Sequence, residues 1–164
     1  MGVKRTSLVA GLVQPGSDQH PVMFSNVLVV CTGNICRSPF AEAALKRKTA
    51  GVSLSSAGLS ALVDHSADAT AVLVASRRGV DLTEHRGTQI TRALIGQSDL
   101  ILVMDDDHLD RLHKKYPDAR GKTFKLAKFL GNRNIVDPYL KSEHFFDLVF
   151  DEIEAAIDTW LPHL

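Results

Sequence analysis

The chain has 164 residues, of which 45% are hydrophobic and 23% charged, with 19 basic and 19 acidic side chains. This length and composition suit a single globular domain with a hydrophobic core. A formal net charge of +0 excludes the strong global field that draws a protein to nucleic acid or to an anionic membrane. No apolar run approaches the roughly 20 residues of a membrane span. We therefore expect no nucleic-acid partner and no membrane span.

The two cysteines, Cys31 and Cys36, lie on one short segment. This is unlike a secreted disulfide framework, so it favours a reducing compartment, and we expect a cytoplasmic protein. A structural metal site needs about four ligands, and no second cysteine pair exists. The run Asp105–Asp107 looks like a metal cluster, but acidic residues also suit a helix N-terminus. We predict neither a metal nor another cofactor.

Residues 1–25 differ in character from the rest of the chain. They combine a short apolar stretch with the polar, turn-forming run Gln14–Gln19. Segments of this kind at a chain end are poorly ordered unless the fold holds them. We therefore predict a flexible N-terminal extension over residues 1–25 and one domain over residues 26–164.

Hydrophobic patterning after residue 25 predicts strands that alternate with helices. The predicted strands are Val27–Val30, Val52–Ser56, Leu100–Met104 and Thr123–Lys125. The predicted helices begin near Pro39, at Asp68, at Asp105–Asp107 and near Ser142. Alternating strands and helices form a parallel sheet through right-handed crossovers. The predicted fold class is therefore an α/β three-layer sandwich, a four-stranded parallel sheet with helices on both faces in a flavodoxin-like or Rossmann-like topology.

A loop that carries a nucleophile and a cation follows the first predicted strand. It runs from Cys31 to Pro39 and reads Cys-Thr-Gly-Asn-Ile-Cys-Arg-Ser-Pro. Between a strand and a helix N-terminus, loop N–H groups converge on one point, and the helix dipole adds positive potential there. These partial charges favour the thiolate of Cys31, and the Arg37 guanidinium can grip two oxygens of a tetrahedral oxyanion. A nucleophile inside a phosphate cradle predicts a covalent phosphoenzyme.

These residues resemble the signature of the low-molecular-weight protein tyrosine phosphatases. That signature is a cysteine, five residues, an arginine, then serine or threonine and proline, and Cys31–Pro39 matches it without departure. A second family motif, Asp-Pro-Tyr near the C-terminus, is found here at Asp137–Tyr139. The segments Ser56–Leu59 and His85–Gln89 are further likenesses. The resemblance covers residues 26–164 and implies a phosphotyrosine phosphatase.

The resemblance implies a role for individual residues. Cys31 is the nucleophile, and Asp137 protonates the departing phenolate and then activates water. Main-chain N–H groups of the loop and the Arg37 side chain hold the phosphoryl oxygens. The implied phosphate-binding and substrate-binding residues are Thr32, Gly33, Asn34, Ile35, Cys36, Ser38, Leu59 and Tyr139.

Further family likenesses concern the support and protection of the loop. Ser56 and His85 match positions that brace Asn34, a residue type that tolerates the left-handed backbone of a tight anion site. The family likeness also suggests a reversible Cys31–Cys36 disulfide that shields the nucleophile from over-oxidation. The residues alone leave open a Cys36 that only packs and a structural or surface His85. Asp-Pro by itself often marks nothing but a turn.

Three positions bear on the branch of the family and its substrate. A related arginine-phosphate phosphatase branch carries threonine where this chain has Ile35, whose apolar wall suits a phenyl ring instead. Leu59 matches a position that lines the pocket in bacterial members. The run Ser56–Leu62 resembles bacterial enzymes paired with exopolysaccharide tyrosine autokinases. The resemblance therefore implies a tyrosine-phosphorylated protein as substrate, with such an autokinase as the candidate, and a monomer or weak homodimer.

Other functions of the same loop fit this chain less well. A thioredoxin-coupled arsenate reductase of this fold relays oxidation through two further cysteines, and no cysteine follows Cys36. A phosphoarginine phosphatase conflicts with Ile35. A non-hydrolytic phosphocysteine carrier does not need both Arg37 and a distant acid such as Asp137. We therefore predict a protein tyrosine phosphatase.

Overall fold

The computed structural model describes residues 23–164, which form four strands and five α-helices. The strands are β1 (Asn26–Cys31), β2 (Ser53–Gly58), β3 (Leu100–Val103) and β4 (Thr123–Lys125). The α-helices are α1 (Arg37–Lys48), α2 (Ala69–Arg77), α3 (Arg92–Gln97), α4 (Asp106–Lys115) and α5 (Glu143–Trp160). Two 3-10 helices cover Pro117–Lys122 and Leu161–His163.

The strands form one parallel sheet in the order β2-β1-β3-β4. Val27 of β1 pairs with Leu54 on one side and with Leu100 on the other, and Ile101 of β3 pairs with Thr123. This order matches the first four positions of the flavodoxin-like order. Because β1 is a central strand, both of its faces are covered, which explains its continuous run of apolar residues.

Two hydrophobic clusters cover the two faces of the sheet. The first core cluster takes Val27 and Val29 from β1 and packs them under α1, α2 and α5. The second core cluster takes Leu28 and Val30 and packs them under α3 and α4. Successive residues of a strand point to opposite faces, so one strand supplies both clusters. The predicted α/β three-layer class is confirmed.

Local capping explains where three helices begin. The Asp68 side chain accepts hydrogen bonds from two first-turn N–H groups of α2. Asp105 caps α4, and Ser142 caps α5. Side chains of these types satisfy N–H groups that have no partner inside the helix. The predicted starts of these helices are therefore confirmed.

Several elements differ from the predictions, and β1 extends one residue beyond Val27–Val30 at each end. Helix α3 was not predicted, because its six residues are too few to show helical periodicity. Strand β2 extends to Gly58, which still pairs with Cys31, instead of ending at Ser56. Strand β3 ends at Val103 rather than Met104.

The first described residues already contact the rest of the fold. Phe24 packs against the first core cluster, and the N–H groups of Ser25 and Asn26 donate to the Asp99 carboxylate. Among the described residues, contacts with the fold are therefore already present two residues before residue 26. The prediction for residues 1–22 lies outside the described residues. No helix of residues 23–164 is long and apolar enough to cross a membrane.

Candidate active site

The loop after β1 directs its main-chain carbonyls away from its own centre. Five carbonyls accept hydrogen bonds from the surrounding segments: Cys31 from Leu59 N (3.0 Å), Thr32 from Ser60 N (2.9 Å), Gly33 from Leu62 N (3.1 Å), Asn34 from His85 Nε2 (2.6 Å) and Ile35 from Asp68 N (2.9 Å). The C=O and N–H of a trans peptide point in opposite directions. The N–H groups of Thr32 to Cys36 therefore turn inward, at the N-terminus of α1, and form a site for an anion.

Asn34 organises the polar contacts beneath this loop. Its φ is 57°, in the left-handed region. Its Oδ1 accepts from Thr88 N at 2.9 Å, so its amide NH2 faces Ser38 Oγ at 2.8 Å and Ser56 Oγ at 3.0 Å. Because Ser38 Oγ accepts from Asn34, its own hydrogen is free for the Cys31 sulfur, which lies 2.9 Å away. The serine can therefore stabilise a thiolate at Cys31.

Arg37 is held from one side. Its Nη1 donates to Ile135 O at 2.7 Å and to Asp105 Oδ2 at 3.2 Å. Its Nη2 lies 3.7 Å from Asp137 Oδ2 and 3.5 Å from His108 Nε2. Only 3% of the side chain is exposed. A guanidinium fixed in this way needs little reorganisation to bind an oxyanion.

His108 of α4 is a site residue that the sequence analysis missed. It is 1% exposed, its Nδ1 lies 3.3 Å from Met104 N, and its Nε2 lies 2.9 Å from Thr32 Oγ1. The Met104 N–H donates to Nδ1, so the ring proton is on Nε2 and is donated to Thr32. Burial, and next the charge of Arg37, lower the pKa of His108 to about 4. The sequence signal that could have identified it is the helical spacing of four residues between His108 and Leu112, which places both on the buried face of α4.

A cavity of about 300 Å³ opens above the loop. Its lining residues are Cys31, Thr32, Gly33, Ile35, Cys36, Arg37, Leu62, Asp137 and Tyr139. The cavity thus combines the anion site with apolar walls from Ile35, Leu62 and Tyr139. These dimensions and surfaces suit a phosphate group attached to a flat ring.

Leu59, which the resemblance places in the substrate pocket, is not among the residues that line this cavity. Its partly buried side chain packs against the second core cluster instead. The chain turns immediately after Leu59, and Gln89 holds the turn by accepting from Ala61 N (2.9 Å) and donating to Leu59 O (3.0 Å). This turn brings Leu62 to the cavity, where it supplies the apolar wall expected from Leu59.

The two cysteines have different surroundings within one cavity. Both are free thiols and both are buried. Burial first, and then the negative charge of Asp68, raise the pKa of Cys36 far above its usual range. Cys36 is therefore a neutral thiol at physiological pH, beside the nucleophile. The reversible Cys31–Cys36 disulfide stays a prediction.

Asp137 lies at the edge of the cavity. Its Oδ1 accepts from Tyr139 N at 3.0 Å, which is the turn contact typical of Asp-Pro segments. Its Oδ2 faces Arg37, and half of its side chain is exposed. The residue therefore both shapes its turn and presents a carboxylate oxygen to the loop.

The Asp105–Asp107 run serves ion pairs and a helix cap. Asp105 caps α4 and pairs with Arg37, while Asp106 pairs with Lys125 at 2.8 Å. Within residues 23–164, no group of three or more His, Cys, Asp or Glu is arranged to hold a metal ion. The contact between Asp105 and Arg37 was not predicted from the sequence.

Comparisons with known proteins agree with this geometry. The family model described as low molecular weight phosphotyrosine protein phosphatase matches residues 26–164. A putative low molecular weight protein-tyrosine-phosphatase of Klebsiella pneumoniae is 46% identical over 142 residues, which cover 87% of this chain and 99% of the relative. The tyrosine phosphatase Wzb from Escherichia coli K30, crystallised with sulphate, has a TM-score of 0.83 at 45% identity and covers 85% of this chain and 97% of its own. Wzb of Vibrio vulnificus, in complex with benzylphosphonate, has a TM-score of 0.83 at 40% identity and covers 86% of this chain and 99% of its own. The chain therefore belongs to the low-molecular-weight protein tyrosine phosphatase family and is a protein tyrosine phosphatase.

Proposed function

We propose that Cys31 and Asp137 carry out the hydrolysis of phosphotyrosine in two steps. In the first step the Cys31 thiolate attacks phosphorus, the S–P bond forms, and the P–O bond to the phenol breaks as Asp137 gives its proton to the leaving oxygen. In the second step Asp137 takes a proton from water, the water oxygen attacks phosphorus, and the S–P bond breaks. The products are the free thiolate and inorganic phosphate. The observation that carries the proposal is that Cys31, Arg37 and Asp137 line one cavity.

The main stabilisation of the transition state comes from the loop and Arg37. Charge develops on the three equatorial oxygens and on the leaving oxygen. The inward N–H groups of Thr32 to Cys36 and the fixed guanidinium supply donors for the equatorial oxygens. The leaving phenolate is the conjugate base of an acid with a pKa of about 10, so a proton from Asp137 matters most for substrates of this kind.

The apolar walls of the cavity support an aromatic phosphoester as the substrate. Ile35, Leu62 and Tyr139 offer surface for a phenyl ring, whereas a phosphoguanidinium gains little from an apolar wall. We infer that the physiological substrate is a tyrosine-phosphorylated protein in the cytoplasm, and the candidate is a tyrosine autokinase linked to exopolysaccharide production. The likeness of Ser56–Leu62 to bacterial enzymes paired with such kinases supports this candidate. Similar rates with phosphotyrosine and phosphoarginine would contradict the argument from Ile35.

Aryl phosphates test the two catalytic roles. We expect Cys31→Ser to abolish turnover. We expect Asp137→Asn to lower kcat/KM for phosphotyrosine by about a hundredfold, with a smaller loss for substrates whose leaving groups are more acidic. Asp158→Asn is the matched control, because Asp158 is also an exposed carboxylate paired with a cation, in its case Lys48.

Two results would contradict the proposal. Full activity of Cys31→Ser would exclude Cys31 as the nucleophile. Accumulation of phosphocysteine in the wild type without release of phosphate would indicate a phosphoryl carrier. Capture of one phosphoprotein from the native host by Cys31→Ser would identify the substrate, and a captured protein other than a tyrosine kinase would refute the candidate.

A further inference from the structure

Lys125, the last residue of β4, carries a buried charge that the two steps above do not use. Its side chain is 6% exposed. Its Nζ donates to Asn132 O at 2.6 Å, to Asp106 Oδ1 at 2.8 Å and to Asn134 Oδ1 at 3.2 Å. An ammonium group has three donors, so each N–H has an acceptor. A buried ammonium is costly unless it is paired and fully hydrogen-bonded, so this arrangement requires all three acceptors to stay in place.

Two of the three acceptors belong to the segment that leads to Asp137, residues 131–136, here called the acid loop. Asn134 also exchanges contacts with Asp106: Asp106 N donates to Asn134 Oδ1 at 3.1 Å, and Asn134 Nδ2 donates to Asp106 Oδ2 at 3.3 Å. Asn132 has a φ of 52°, in the left-handed region. Lys125 thus fastens a locally unfavourable loop conformation to the N-terminus of α4.

The acid loop connects Lys125 to Arg37 and Asp137 through Ile135. Ile135 N donates to Met104 O at 2.9 Å, and Ile135 O accepts from Arg37 Nη1 at 2.7 Å. Asp137 follows two residues later, and a residue of extended chain spans about 3.3 Å, so at most about 7 Å of chain joins Asp137 to Ile135. The side chain of Asp137 is half exposed, so burial does not hold this side chain in place. Its nearest cation, Arg37, is 3.7 Å away.

We propose that Lys125 is a positioning residue for the phosphatase reaction, which holds the acid loop through Asn132, Asn134 and Asp106 and thereby keeps Asp137 within reach of the leaving oxygen. This inference rests on the proposed role of Asp137 as the general acid. Without the ammonium, Asn132 O and Asn134 Oδ1 lose their shared donor at an exposed edge of the molecule. The acid loop then relaxes toward solvent. Arg37 loses Ile135 O but keeps Asp105, and the main-chain hydrogen bonds of the Cys31 loop are to other segments.

Lys125→Met tests the proposal, because methionine keeps an unbranched side chain and removes the charge. kcat/KM covers the steps up to departure of the phenol, so it reports the protonation by Asp137. We expect kcat/KM for phosphotyrosine to fall about tenfold and that for p-nitrophenyl phosphate, which has a more acidic leaving group, to fall less than about twofold. Lys122→Met is the matched control, since Lys122 Nζ also donates to two carbonyls, Ile95 O and Ser98 O at 2.7 Å, away from the acid loop. We expect the control to leave kcat/KM unchanged for both phosphotyrosine and p-nitrophenyl phosphate.

A double variant separates positioning from a general structural effect. If Lys125 acts through Asp137, Lys125→Met causes no further loss in the Asp137→Asn background. The inference would be overturned if the two fold-losses in kcat/KM multiply in the double variant. Equal losses for both substrates in Lys125→Met would also overturn it. Asn134→Ala changes an exposed residue and decides the question if Lys125→Met does not fold: a loss confined to phosphotyrosine supports the inference, and no loss overturns it.

The same assay distinguishes failure of this inference from failure of the proposed catalytic role. If Asp137→Asn loses activity mainly with phosphotyrosine and Lys125→Met does not, only the positioning role is wrong. If Asp137→Asn shows no dependence on the leaving group, the acid role of Asp137 is wrong and the role of Lys125 falls with it.

Discussion

His108 makes the stability of this protein depend on pH in a way that can be calculated from its surroundings. Burial first, and then the charge of Arg37, lower the pKa of His108 from its ordinary value of 6.5 to about 4, while Asp105 and Asp107 oppose the shift and Arg111 adds to it. Between these two values the unfolded chain binds a proton at this residue and the folded protein does not. Protons therefore favour the unfolded state, and stability falls as the pH falls from 6.5 toward 4.

The size of this effect follows from the difference between the two pKa values. One unit corresponds to about 1.4 kcal/mol, so the full difference of about 2.5 units is worth about 3 kcal/mol. The contribution is present in full above pH 6.5. We calculate that about 2 kcal/mol of it is lost between pH 7 and pH 5. That loss is a considerable part of the 5–15 kcal/mol that stabilises a typical domain.

Urea unfolding of the wild type and of His108→Asn, at pH 7 and at pH 5, measures this contribution. Subtracting the pH dependence of the variant from that of the wild type removes the contributions of the other titrating groups. We expect the wild type to lose about 2 kcal/mol more than the variant between the two pH values. Equal pH dependence in both proteins would refute the conclusion that His108 is buried as a neutral ring.

Two further predictions concern the wall of the cavity and the packing of β2 against the Cys31 loop. Leu62→Ala should raise KM for an aryl phosphate about fivefold, since about 1 kcal/mol of apolar contact is lost. Leu59→Ala should instead lower stability and leave KM unchanged. The opposite pattern would show that Leu59, and not Leu62, contacts the substrate. Gly58→Ala would put a Cβ 2.6 Å from Thr32 O, so we expect a loss of about 1–3 kcal/mol in urea unfolding together with lower kcat/KM. Gly96→Ala in α3, where a Cβ meets nothing within 4 Å, should instead add about 0.5–1 kcal/mol, and similar effects of the two substitutions would contradict the steric argument.

Features written in neighbouring residues were predictable from the sequence alone. The alternation of apolar runs with helical patterns determines the α/β class, because each element is recognised from its own periodicity. The caps at Asp68, Asp105 and Ser142 act on N–H groups within three residues, so they too are local. The Cys31–Pro39 motif carries the chemistry of the anion loop in nine consecutive residues, which is why its resemblance to a phosphatase signature was informative.

Contacts between distant segments were decided only by the tertiary structure. His108 reaches Thr32, and Asp105 reaches Arg37, because the carboxyl ends of β1 and β3 are adjacent in the parallel sheet. In the sequence, Lys125 is an ordinary strand residue, and only the position of β4 in the sheet places it against the acid loop. Leu62 rather than Leu59 lines the cavity because of a turn that the side chain of Gln89 holds. In each case the sequence determines which chemical groups are available, and the packing of the sheet determines which of them meet, because hydrophobic periodicity specifies a buried face but not the partner across it.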